Sequence, residues 1–91
     1  MTDVTSLDSI DIGKELRVVS VGGEPLMAQR LADLGVVRDT VIKCVMVSPL
    51  GDPKAYSIRG AVIALRREDA MHIFGQRVDS LEDCHDKQII G

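Results

Sequence analysis

The stretch GAVIALRREDAMHIFG, residues 60–75, decides how much of this chain is sheet and how much is helix. Its apolar spacing permits a single helix over 61–74, stopped by Gly75. It equally permits a strand over 62–66 followed by a short helix over 68–74. Two local features favour the split. Val62 and Ile63 follow a glycine that itself follows a strand-like run, and Glu68 and Asp69 place negative charge in a helical first turn.

Outward from this stretch, the neighbouring segments are easier to read. The preceding residues 55–59 (AYSIR) alternate and predict a strand. Before them Pro49, Leu50, Gly51, Asp52 and Pro53 put two prolines and a glycine into five residues, a sharp break. The run VIKCVMVS, 41–48, is β-branched and predicts the partner strand of a hairpin. Earlier still, Pro25 suits the first position of a helix and Gly35 its left-handed stop, predicting a helix over 25–34. Met27, Leu31 and Leu34 recur at i, i+4 and i+7, with Leu26 flanking, as one apolar stripe for the core. The run KELRVVSV, 14–21, predicts a strand ended by Gly22 and Gly23. On the other side, 77–83 predicts a closing strand. Leu7 and Ile10 are expected to tuck a lead-in, residues 1–13, against the domain edge. Short strands in this number argue for a small closed β-structure, because closure removes open edges.

At 91 residues the chain supports one domain. Its 45% hydrophobic content is that of a globular protein, and its 27% charged residues are mixed in sign. Tyr56 and Phe74 are the only aromatic residues, so the core rests on Val, Ile, Leu and Met, and no platform exists for stacking bases. A net charge of −3 and the absence of a basic stripe argue against nucleic acid as a partner. Residues 1–11 carry three Asp and no basic residue, which is not a secretory signal. No run approaches the roughly 18 apolar residues of a membrane span, so direct membrane insertion is not expected. Cys44 and Cys84 do not make a disulfide framework. The expectation is a cytoplasmic protein. It is also expected not to be an enzyme: no Walker-type or dinucleotide glycine loop is present, and His72 and His85 sit beside acidic neighbours rather than beside a nucleophile.

Several pieces, taken in order and spacing, carry a resemblance. They are Arg30-Leu31-Ala32-Asp33-Leu34-Gly35, then Pro49-Leu50-Gly51-Asp52-Pro53, then Arg59-Gly60, Ala64-Leu65-Arg66 and Glu68-Asp69-Ala70. Over nearly its whole length the chain resembles the FeoA family. The resemblance implies an SH3-like β-barrel over 14–83 with one or two short inserted helices, and it resolves residues 60–75 as strand then helix. It also implies a cytosolic accessory role beside FeoB, the membrane ferrous-iron transporter with a GTP-binding domain. The tail after Val78 has no counterpart expected in the family.

Three candidate sites follow. The turn of Leu50, Gly51, Asp52 and Pro53 is rigid, with Leu50 at its tip, and suits docking at small ordering cost; the plainer reading is a tight hairpin turn. Arg66 is a second partner-facing candidate, since an arginine set against a GTPase stabilises transition-state charge. The plainer reading pairs Arg66 with Asp52 and turns Arg67 to water. The third is the run Glu82, Asp83, Cys84, His85, Asp86 in the polar tail, residues 84–91 and just before. Cys84 and His85 suit iron or zinc as a transition-metal pair, although two ligands do not close a site. No cofactor is required by the main reading. A metal-responsive module, self-associating as a homo-oligomer around metal, is the alternative. Cys44 reads as a small core residue, and His72 as a surface pair with Glu68.

Overall fold

A computed structural model describes residues 4–78. In chain order these form β1 (Val4–Ser6), a 3-10 turn (Leu7–Ser9), β2 (Glu15–Val21), α1 (Pro25–Asp33), β3 (Val41–Val47), β4 (Lys54–Ile58), β5 (Ala61–Leu65), α2 (Arg67–Ala70) and β6 (Ile73–Val78). The strands form one antiparallel sheet in the order β1-β6-β2-β3-β4-β5. Fold class is therefore mainly β, as expected.

The core side of the sheet follows the period-two rule of strands. Leu16 and Val18 of β2, Ile42 and Cys44 of β3, Tyr56 and Ile58 of β4, Leu65 of β5 and Ile73 of β6 all point inward and are buried. Bulges between Val18 and Ser20 and between Cys44 and Met46 bend the sheet, as an extra residue on one strand does. Leu7 and Ile10, from the segment expected to be a lead-in, are completely enclosed and fill the mouth of the curl.

Four expectations need correction. First, the sheet curls but its ladder does not close: β1 and β5 are its two edges and do not pair with each other. β1 is three residues long and gives way at once to the 3-10 turn, so side chains rather than strand pairing bridge the gap. Second, β1 lies inside the residues assigned to the lead-in, paired to β6 through Thr5 and Gly75. Third, the helix expected over 68–74 ends at Ala70, and Ile73 and Phe74 begin β6. Gly75 does not stop a helix; it lies in mid-strand opposite Val18, where the β2 bulge brings the Arg17 carbonyl against it. Fourth, of the α1 stripe only Leu31 reaches the core, at 4% exposure. Met27 is half-buried against it, and Leu34 is 43% exposed.

Leu34 is displaced by the way α1 ends. Gly35 takes φ +103°, its N–H donates to Ala32 O at 2.9 Å, and the Val36 N–H donates to Leu31 O at 2.9 Å. This is the paired 5→2 and 6→1 closure of a helix on a left-handed glycine. It folds Val36 back beside Leu31 in the core and leaves Leu34 on the outside.

Candidate functional site

The tight turn between β3 and β4 is built by its own backbone. Gly51 N–H donates to Ser48 O at 2.8 Å, Ser48 N–H donates to Pro53 O at 3.2 Å, and Gly51 sits at φ +90°. The Asp52–Pro53 peptide bond is cis. Leu50 stands at the tip, 93% exposed, and contributes nothing to the core.

The turn is tied to α2 by Asp52. Its Oδ1 accepts a 2.8 Å hydrogen bond from the Arg67 backbone N–H, the first residue of α2. A helix leaves its first N–H groups without internal partners, and a carboxylate placed there satisfies one of them. The bond therefore goes to Arg67, and the side chain of Arg66 takes no part. The reason is that α2 starts at Arg67, one residue earlier than the acidic pair suggested. Arg67 does not simply face water either: its Nε lies 3.7 Å from Asp8 Oδ2. That pair is on the surface and is worth under about 1 kcal/mol. Arg66 itself is exposed at the N-cap of α2.

Lys54 adds the stronger link. Its Nζ donates to Asp8 O at 2.8 Å and to Ile10 O at 3.0 Å, across 46 and 44 residues of sequence. One ammonium thereby holds the middle of the 3-10 turn and the residue that follows it onto β4. Behind these groups Tyr56 is buried, and burial pushes its phenol well above the usual range, so it stays protonated.

Together Asp8, Gly51, Asp52, Lys54, Tyr56, Leu65 and Arg67 line a cleft of about 190 Å³. A cleft of this size falls short of the roughly 300 Å³ at which small-molecule sites begin. Its charged groups are also already engaged: Lys54 on backbone carbonyls, Asp52 on a backbone N–H, and Arg67 with Asp8. Chemically the arrangement is a rigid backing that presents Leu50 and the two prolines outward.

The other candidates are more scattered. His72 is not one turn from Glu68 on a common helix; it lies over Gly23 and accepts the Gly22 N–H through its backbone carbonyl at 2.7 Å. Cys44 is buried in the core, and burial pushes its thiol up. Among the described residues no three His, Cys, Asp or Glu come together as a metal cluster. Cys84 and His85 lie outside the described residues. No described helix is long and apolar enough to cross a membrane. Sequence reading missed Asp8, Lys54 and Arg67 as the scaffold of the turn, and no local signal marks contacts of such long range.

Comparison with known proteins places this geometry. Residues 5–77 match the family model described as the FeoA domain. A curated relative from Porphyromonas gingivalis, the Fe(2+) transport protein A/Fe(2+) transporter FeoB fusion protein, is 32% identical over 74 residues. The match takes in 81% of this chain but spans only 9% of that protein. The solution structure of the FeoA protein from Chlorobium tepidum is similar at a TM-score of 0.73 and 34% identity, covering 79% of this chain and 70% of that one. The crystal structure of Stenotrophomonas maltophilia FeoA complexed with zinc, described as a procaryotic SH3 domain protein, gives 0.67 and 25%, covering 76% and 86%.

Proposed function

The chain belongs to the FeoA family, and from that membership we propose that it is a non-enzymatic cytoplasmic accessory of ferrous-iron uptake that docks on an FeoB-type membrane transporter. One observation carries the reading: in the Porphyromonas gingivalis relative, the matching segment and the transporter share one polypeptide. Fusion keeps two parts at effective concentrations of about a millimolar, which favours parts that act on each other. The docking surface is the turn of Leu50, Gly51, Asp52 and Pro53, with Arg66 beside it. Its rigidity, set by Asp52 and the cleft behind it, supports this choice, since little order has to be gained on binding. Binding one conformation of the transporter better than another then shifts its assembly or gating.

The test is a pull-down of the host's own detergent-solubilised transporter with this chain as bait, with and without a GTP analogue. Retention above a tagged control under at least one nucleotide condition is the expected result. No retention under any condition overturns the reading. A second reading has Cys84 and His85 hold iron or zinc, favoured by the zinc in the Stenotrophomonas maltophilia structure. Elemental analysis of the same purified bait tests it: about one metal per chain, lost in a Cys84→Ser variant, supports it, and absence of stoichiometric metal removes it.

A further inference from the structure

Among the described residues, strand β5 ends the sheet with no strand paired on its outer side. Its hairpin with β4 has the two-residue loop Arg59-Gly60, at φ +50° and +88°, which is the type I′ geometry. Such a loop makes Ile58 and Ala61 a pair that exchanges both backbone bonds. In an antiparallel ladder these pairs alternate, so Tyr56 with Ile63 and Lys54 with Leu65 are the next. The N–H and C=O groups of Val62 and Ala64 consequently point away from β4, toward the side where no further strand follows among the described residues.

The same two residues carry an apolar patch. Val62 is 66% exposed and Ala64 is exposed beside it on the outer face. The register runs Ala64 to Ala55 to Met46, extending the patch inward across the sheet, and Met46 is 60% exposed. Natural edges are usually blunted by a lysine, a proline or a bulge, and β5 (AVIAL) has none of these. The charges along the hairpin itself are of one sign. From Lys54 to Arg67 the hairpin holds four basic residues and no carboxylate, in a chain of net charge −3.

We propose that β5 is a strand-addition site for an extended protein segment with apolar residues at alternate positions and carboxylates at its flanks. The main-chain groups of Val62 and Ala64 supply the bonds. Met46, Val62 and Ala64 seat the side chains, and Arg59 and Arg66 select the flanking charge. A second copy of this chain suits the edge less well. It would bring the basic residues that flank β5 (Arg59, Arg66 and Arg67) up against the same residues of the partner, and like charges brought together oppose pairing. The proposal rests on the docking reading only for taking the partner to be a protein, and its surface, the β5 edge, shares only Arg66 with the turn.

The experiment uses the full chain, no transporter, and two acetylated peptides, DDVTVTVDD and KKVTVTVKK, followed by amide hydrogen exchange. The acidic-flanked peptide is expected to slow exchange at Val62 and Ala64 at least tenfold, leaving Ala61 and Ile63 unchanged. The basic-flanked peptide binds at least tenfold more weakly. Val62→Pro removes an outward N–H without taking a bond from β4 and is expected to abolish the effect. Arg66→Glu, which leaves the edge backbone untouched, reverses the preference between the peptides. No protection with either peptide, or equal affinity for both, overturns the proposal. Concentration-dependent protection of Val62 and Ala64 without peptide assigns the edge to a second copy and overturns it too. Because no transporter is present, none of these failures bears on the turn as a docking surface.

Discussion

Gly75→Ala is expected to destabilise the chain by about 3 kcal/mol or more, the upper range for forcing an extra methyl into a packed site. Gly75 sits in the middle of β6, facing Thr5 of β1 and Val18 of β2. A Cβ there falls well inside contact distance of the Arg17 carbonyl oxygen, 2.8 Å from the carbonyl carbon and 3.0 Å from Leu16 Cγ. The obstacle on β2 is backbone together with a buried side chain, so neither gives way by a simple rotation. Relief requires β6 to move off β2, which strains the β1 pairing on its far side as well. For a domain of this size, 3 kcal/mol lowers Tm by roughly 12–24 °C. Thermal unfolding followed by circular dichroism checks this, with Gly51→Ala as a companion. A Cβ at Gly51 meets nothing within 4 Å, and its only strain is φ +90°. A Tm for Gly75→Ala within about 2 °C of the parent, small on that same scale, would show that the bulge does not hold β6 so close.

Lys54→Met is expected to cost about 2 kcal/mol, because hydrogen bonds to a charged group are worth about 1.5–3 kcal/mol and their loss strands two carbonyls. Methionine keeps most of the stem and removes only the ammonium, so the change reports on the two bonds to Asp8 O and Ile10 O. The loss is local in origin. Without the clamp, the 3-10 turn carrying Leu7 and Ile10 is held by the core packing of those two side chains and by the three pairs of β1. Amide exchange of residues 4–10 is therefore expected to accelerate before that of β3 and β4. Uniform acceleration across the sheet, or none, would contradict the assignment of Lys54 as the closure of the curl.

The elements that sequence reading located well are those whose signals are local. Pro25 and Gly35 bracket α1 to within a residue, and the β-branched runs at 14–21 and 41–48 are β2 and β3. The turn at 50–53 was equally legible, because proline and glycine act on their own backbone. Where reading failed, the deciding partner was distant. Gly75 looks like a helix stop beside the acidic start at Glu68, yet its role is set by the Arg17 carbonyl on another strand. Leu34 fits the helical stripe, yet the glycine closure that returns Val36 to the core turns it outward. Asp52 suggested Arg66 as its partner, and the first free N–H of α2 belonged to Arg67 instead. The bond from Lys54 to the 3-10 turn joins segments more than forty residues apart and has no periodicity to betray it.

The most direct test of the docking account is a calorimetric titration of the transporter's purified cytosolic domain with this chain and with its Leu50→Asp variant. Leu50 is almost fully exposed and makes no core contact, so the variant is expected to keep the parent Tm. Burying an aspartate in an apolar contact forfeits the leucine's contribution and adds a desolvation penalty. The account predicts that the variant binds at least tenfold more weakly, equivalent to about 1.4 kcal/mol. An unchanged affinity with the fold intact would contradict it and move the docking surface away from the turn.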